Sequence, residues 1–226
     1  MSYSGDPFGQ IIGLFTGKVE TRWPGKAPSV IAKKPVKGDC HVLETGLESD
    51  TCADLSVHGG PDQAIHHYAA DHMPFWQSHH AEQAMTFKPG CFGENVATTG
   101  LDEHNLCIGD VLTMGTARVQ VSQGRQPCWK LDAHIERNDM AYSFRKTCKT
   151  GWYYRVLEAG IVKPDSFMHV IERPAPQWPI HEVIAARFSR DILDDTLEDL
   201  ANLASLSAEW RTHFRQRTRR RVRGRK

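Results

Sequence analysis

The sequence predicts a mainly β fold, a strand-rich barrel or sandwich with a few peripheral helices, followed by a small α-helical unit. Three observations carry this. From about Ile11 to Ile171 the chain falls into short apolar runs punctuated by glycine and proline. Pro174, Pro176 and Pro179 then crowd one short segment, and prolines so placed stop both helix and central strand. Beyond them apolar residues recur at helical spacing.

The clearest strand is Ala117 to Gln123, where Ala117, Val119 and Val121 alternate with Arg118, Gln120 and Ser122 after a turn at Gly115. Trp152 to Leu157 and Ile161 to Val162 read as a strand pair about an Ala159-Gly160 turn. Between strands, Ala69 to Ala84 and Asp132 to Lys146 have the length and composition of helices. After the prolines, Ile180, Val183, Ile184 and Phe188 predict one helix. Leu193, Leu197 and Leu200 predict a second, and Leu206, Trp210 and Phe214 a third with Ser207 as its N-cap. The domain reading is therefore a barrel over 1–173, a Pro-rich linker over 174–179 and a three-helix unit over 180–226. So small a unit buries little area alone, so it is expected to pack on the barrel or on a second copy, which favours a homodimer.

The chain carries 28 basic and 27 acidic residues, which gives no general attraction to nucleic acid or membrane. Residues 215–226 hold eight basic groups and no acid, leaving 20 basic against 27 acidic before them, a net −7. An electrostatically separate tail follows, and without interleaved aromatics nucleic-acid binding ranks low. No signal peptide and no apolar run near the ~20 residues of a membrane span is legible, so a cytoplasmic location with reduced thiols is expected. His181-Glu182 starts like a metalloprotease helix, but Ala185 stands where the second histidine is needed.

One cysteine stands out. Cys128 lies in a loop just past a strand, between Arg125 and Lys130, and nearby cations favour a thiolate, a soft metal ligand and nucleophile. A buried structural cysteine is the competing reading. A second cluster, Val57 to Tyr68, combines Gly59-Gly60 with His58, His66 and His67 and suits either an anion or a simple turn feeding a strand. In a strand His66 and His67 point to opposite faces, so at most one faces a site. Asn95, in an apolar setting, either holds a polar ligand or satisfies loop backbone.

Gly46 to Asp50, Val57 to Ala64, Phe92 to Asn95, Ile108 to Asp110, Ser122 to Leu131 and Gly151-Trp152, in this order and spacing, resemble the MOSC domain in its YiiM-like form. The resemblance runs from about Gly13 to Val170, and the helical unit looks like the three-helix segment that closes such chains. It implies a distorted β-barrel, a molybdenum–molybdopterin cofactor whose metal is held by Cys128, and reduction of N-hydroxylated bases such as 6-hydroxylaminopurine. Arg125 and Lys130 would be counter-charges to the cofactor. His58, His67 and Asn95 would line the pocket, with His58 or His67 as proton source. No flavin or iron–sulfur motif is visible, so electrons would come from a separate reductase. A sulfur or cofactor carrier using Cys128 is the alternative. Two positions depart from the family pattern: Ser49 stands where glycine is expected, which strains a turn wanting φ > 0, and Gly124 replaces proline, which loosens the loop presenting the cysteine.

Overall fold

The computed structural model describes residues 7–51 and 59–224, with side chains through residue 221. Numbered in chain order, the barrel strands are β1 (Phe8–Thr16), β5 (Ile65–Ala69), β6 (Val96–Thr99), β7 (Val111–Met114), β8 (Ala117–Gly124), β9 (Trp152–Glu158) and β11 (Phe167–Glu172). They are ordered β11-β7-β8-β9-β5-β6-β1, and pairing of β11 with β1 closes the ring. Closure removes the exposed edges that a sheet of this size would otherwise present. β5–β6 is parallel and its barrel neighbours pair antiparallel. β2 (Lys34–Pro35) pairs with the end of β1, and a small sheet joins β3 (Cys40–Leu43), β4 (Gly46–Leu47) and β10 (Gly160–Val162).

In β8 the expected alternation holds: Ala117, Val119 and Val121 are buried, whereas Arg118 reaches out to bridge Glu158 and Glu172. Towards its end the strand is buried on both faces, because the C-terminal helices cover it. The expected hairpin about Ala159-Gly160 does not form. β9 pairs with β8 and β5, and β10 crosses to β3. The cause is a close backbone crossing: Thr116 donates to the Ile161 carbonyl at 2.9 Å, and a Cβ at Gly115 would sit 2.1 Å from that oxygen.

The first predicted helix is in pieces, a 3-10 turn at Ala70–His72, α1 (Met73–His79) and a second 3-10 stretch at Ala81–Thr86, broken where His80 leaves helical geometry. The second splits into α2 (Trp129–Ile135) and α3 (Met140–Thr147). Glu136 turns left-handed at φ 59°, and the Asp132 carboxylate caps the backbone of Ala141 at 2.7 Å. α4 (Ile180–Phe188), α5 (Asp194–Asn202) and α6 (Ala208–Gly224) follow as expected, with the Ser207 hydroxyl accepting from Trp210 N–H at 3.2 Å. Leu193 precedes α5 and is exposed. Ile184, Leu197, Trp210 and Phe214 join the same apolar core as Val121 and Trp152 of the barrel. A second core of Tyr68, Trp76, Phe87, Phe92 and Phe144 packs on the outside of β5.

The described part of the tail is not electrostatically separate. Arg215 donates to the Ala201 carbonyl, Arg217 to those of Ala186 and Ser189, and Arg221 to that of Ile192 and to Asp194. Backbone carbonyls at the ends of α4 and α5 draw these guanidinium groups inward.

Candidate functional site

A cavity of about 700 Å³ lies against the outer wall of the barrel, where β5 and β9 meet the start of α2. Segment 29–33, the turn at 44–51, Gly59 to His66, Phe92 to Asn95 and Arg125 to Lys130 supply its walls. The walls of the cavity thus come largely from loops carried on a closed barrel.

Cys128 lines this cavity as the residue before α2, in extended geometry (φ −128°, ψ 174°). The other thiols within the described residues do different work. Burial raises the pKa of Cys40, Cys91, Cys107 and Cys148, the last to about 11, so they stay protonated. Arg125 also faces the cavity: it is 8% exposed, its guanidinium lies over the Phe144 ring, and its Nη1 has no protein hydrogen-bond partner. Its backbone N–H is held by the Gly151 carbonyl at 2.9 Å. Lys130 lines the cavity too, but its ammonium is bound to the Pro28 carbonyl at 2.8 Å. It fastens one wall to another.

Of the three candidate histidines, His58 lies outside the described residues. His67 points into the barrel, away from the cavity. It is fully buried, with Nδ1 2.9 Å from the Tyr154 hydroxyl and Nε2 2.8 Å from that of Thr98. Burial lowers its pKa to about 3. Both nitrogens are used internally and the ring is neutral, so the expectation of His67 as a proton source is corrected. The period-2 argument held, but the cavity face belongs to His66, whose Nε2 is buried without a protein partner. Burial, then the charge of Arg125, push the His66 pKa well down.

Asn95 satisfies backbone, the second of its two expected roles, from a place in the cavity wall. It lines the cavity, accepts from the His66 backbone at 3.0 Å, and donates to the Phe15 carbonyl at 3.1 Å and to Asp50 at 2.7 Å. Asp50 and Lys33 were not foreseen. Asp50 accepts from Gly17 N–H at 2.7 Å and from the Lys33 ammonium, and both side chains are largely buried in the cavity wall. Asp50 closes the Gly46 to Asp50 motif, which is a signal; nothing local marks Lys33. Glu94, fully buried behind the wall, accepts from the Gly90 and Phe92 amides at 2.5 and 3.0 Å and shapes the Phe92-Gly93 turn. Burial raises its pKa, opposed by those hydrogen bonds and by Arg125.

The two departures take on defined roles. Ser49 sits at φ 71°, the left-handed geometry that glycine adopts without strain. Gly124 does not loosen a loop. It is paired with Trp152 in the sheet, and a Cβ there would lie 2.4 Å from Ile184 and 3.0 Å from Trp210.

Residues 54–167 match the MOSC domain model and residues 178–220 match the YiiM-like 3-alpha helix domain. Protein YiiM of Escherichia coli is 38% identical over 206 residues, 91% of each chain. The crystal structure of YiiM from Geobacillus stearothermophilus superposes with TM-score 0.79 at 31% identity, covering 94% of this chain and 100% of that one. A Gibberella moniliformis protein named reductase is 31% identical over 180 residues, 79% of this chain but 32% of its own length. With both models matched in order along a closed barrel and three C-terminal helices, the chain belongs to the MOSC domain family, in its YiiM-like branch.

Proposed function

We propose that the protein is a molybdenum-cofactor oxidoreductase that reduces N-hydroxylated compounds of the 6-hydroxylaminopurine type, with Cys128 as the protein ligand to the metal. The observation that carries this is a convergence: Cys128 shares one cavity with Arg125 and His66, whose Nη1 and Nε2 are buried without protein partners. Buried polar groups of that kind are costly unless a ligand completes them. An anionic pterin with sulfur and phosphate groups fits such a donor set. Gly60 at φ 82°, with open space where a Cβ would stand, leaves the cavity wall bare to a close ligand. Volume supports the same reading, since about 700 Å³ is far more than a persulfide on a carrier needs.

When bound, the cofactor supplies two electrons, which with two protons convert R–NHOH to R–NH₂ and water. The protein's residues bind and orient. Arg125 offers a bidentate cation to sulfur or phosphate oxygen, while Lys33 and Asp50, paired in the wall, set its shape without adding net charge. His66, held neutral, offers a ring nitrogen without adding charge. Asn95 fixes the β5 backbone beneath it. The reductase-named relative supports an oxidoreductase reading, and the absence of a legible flavin or iron–sulfur motif assigns the electrons to a separate reductase.

Protein made in a host that synthesises the cofactor should contain about one molybdenum and one pterin per chain. It should reduce 6-hydroxylaminopurine when given an artificial electron donor. Cys128→Ser should lose the metal and the activity while melting normally. A metal-free wild type carrying labile sulfur, or a fully active Cys128→Ser variant, would overturn the proposal.

A further inference from the structure

Residues 17–33 form an arm pinned at both ends by one carboxylate: Asp50 accepts from Gly17 N–H and from the Lys33 ammonium. Its return strand supplies Ser29, Val30 and Ile31 to the cavity wall. The tip is fastened to α2. Trp23 meets Trp129 edge-on at 5.3 Å, and the Lys130 ammonium binds the Pro28 carbonyl. Trp129 stands between two cavity-lining residues, Cys128 and Lys130, and is 42% exposed.

The arm is also basic. With Lys33 taken up by Asp50, the exposed part of the arm carries Lys18, Arg22 and Lys26 against a single acid, Glu20, on a body that is net negative before its tail. Arg22 lies over the Trp23 ring and Lys26 over the Trp129 ring, each at 5.9 Å. Arg22 also touches Glu20, and both are partly exposed. A pair of tryptophans bearing exposed cations, beside a cavity, offers a π-surface for a planar heterocycle and positive charge for an attached phosphate. A free base would use only the first; a nucleotide uses both.

We propose that the arm and Trp129 form a subsite for a nucleoside monophosphate, so that the site takes its N-hydroxylated base as a nucleotide rather than as a free base. This rests on the reading of the cavity as a site for N-hydroxylated bases, but binding through the arm does not require the metal. The two ideas therefore fail separately.

The test is titration of the full-length, metal-free chain with adenosine 5′-monophosphate, adenosine and adenine, followed by tryptophan fluorescence. The monophosphate should quench saturably and bind roughly tenfold tighter than adenosine at about 50 mM salt, the advantage shrinking at about 300 mM. Trp129→Phe and Trp23→Phe should each remove part of the quench. The Arg22→Glu/Lys26→Glu variant, altered only at exposed positions, should erase the phosphate advantage while melting like wild type. Equal affinity for monophosphate and nucleoside, no saturable quench, or an oligonucleotide binding tenfold tighter than the monophosphate would each overturn the proposal. Loss of 6-hydroxylaminopurine reduction in Cys128→Ser with nucleotide binding intact would leave it standing.

Discussion

His66 and His67 are neighbours in β5 and serve opposite sides of the barrel wall: the first lines the cavity, the second is bonded to Tyr154 and Thr98 inside the barrel. Their substitutions should separate accordingly. His67→Ala takes a hydrogen-bond partner from two buried hydroxyls and opens a hole, which should lower stability by roughly 2–4 kcal/mol. His66→Ala should cost less stability but lower reductase activity at least tenfold in the loaded enzyme. Paired melting curves and molybdenum contents decide it. Equal activity loss at matched stability in His67→Ala would reverse the two roles.

The same pair predicts acid sensitivity. The His67 pKa falls to about 3 in the folded protein against 6.5 unexposed to the fold, so the unfolded chain binds the extra proton between those values. Stability should therefore fall as pH drops below about 6.5, by up to ~1.4 kcal/mol per pH unit for this group, levelling near 3. His66 shifts in the same direction and adds to the slope. Denaturant titrations from pH 7 to 4 should show it, and His67→Gln should flatten it; an unchanged slope in that variant would exclude His67 as the source.

At Gly124 the C-terminal helices press directly on the barrel. Any side chain there meets Ile184 at 2.4 Å, so Gly124→Ala should destabilise by roughly 1–3 kcal/mol. Ile184→Ala in the same chain should recover part of that loss, a coupling that a double-mutant cycle measures directly. Additive losses would mean that the two sites do not press on one another.

Why some of this was legible follows from exposure. β8 announced itself because Arg118 and Gln120 point outward between buried valines, and α4 to α6 did so because one face alone is apolar. β5 gave no such signal, since all five of its residues are buried, so period 2 separated its faces without saying which was the cavity. The long apolar and polar mixtures read as single helices were cut by local geometry at His80 and Glu136 that composition does not encode. Cys128, Arg125 and Asn95, which line the cavity, were marked by local chemistry and then by their motifs. The Lys33–Asp50 pair bridges 17 positions, and a contact set by the path of the arm leaves no mark in the sequence.

Ser49 offers a stabilising change. At φ 71° a serine carries strain that glycine does not, so Ser49→Gly should raise stability by about 0.5–1 kcal/mol. Because the next residue, Asp50, holds Lys33 and Asn95, activity should stay within about twofold if the turn keeps its shape. A lower melting temperature would show that Ser49 is not strained at this turn.

The arginines of α6 divide into two groups with different expected effects. Arg217 donates to the carbonyls of Ala186 at 2.9 Å and Ser189 at 2.7 Å, and Arg221 reaches Asp194 at 2.8 Å and the carbonyl of Ile192. Arg219 and Arg220 are exposed. Removing a cation from carbonyls at a helix end leaves those acceptors to water and lets the end fray, so Arg217→Ala and Arg221→Ala should each cost about 1 kcal/mol. Arg219→Ala and Arg220→Ala should stay within about 0.5 kcal/mol of wild type. Hydrogen exchange should locate the first pair's effect in residues 186–194. If all four variants melted alike and lost affinity for nucleic acid alike, the basic helix would be a charged binding surface, not a clasp for the helices beneath it.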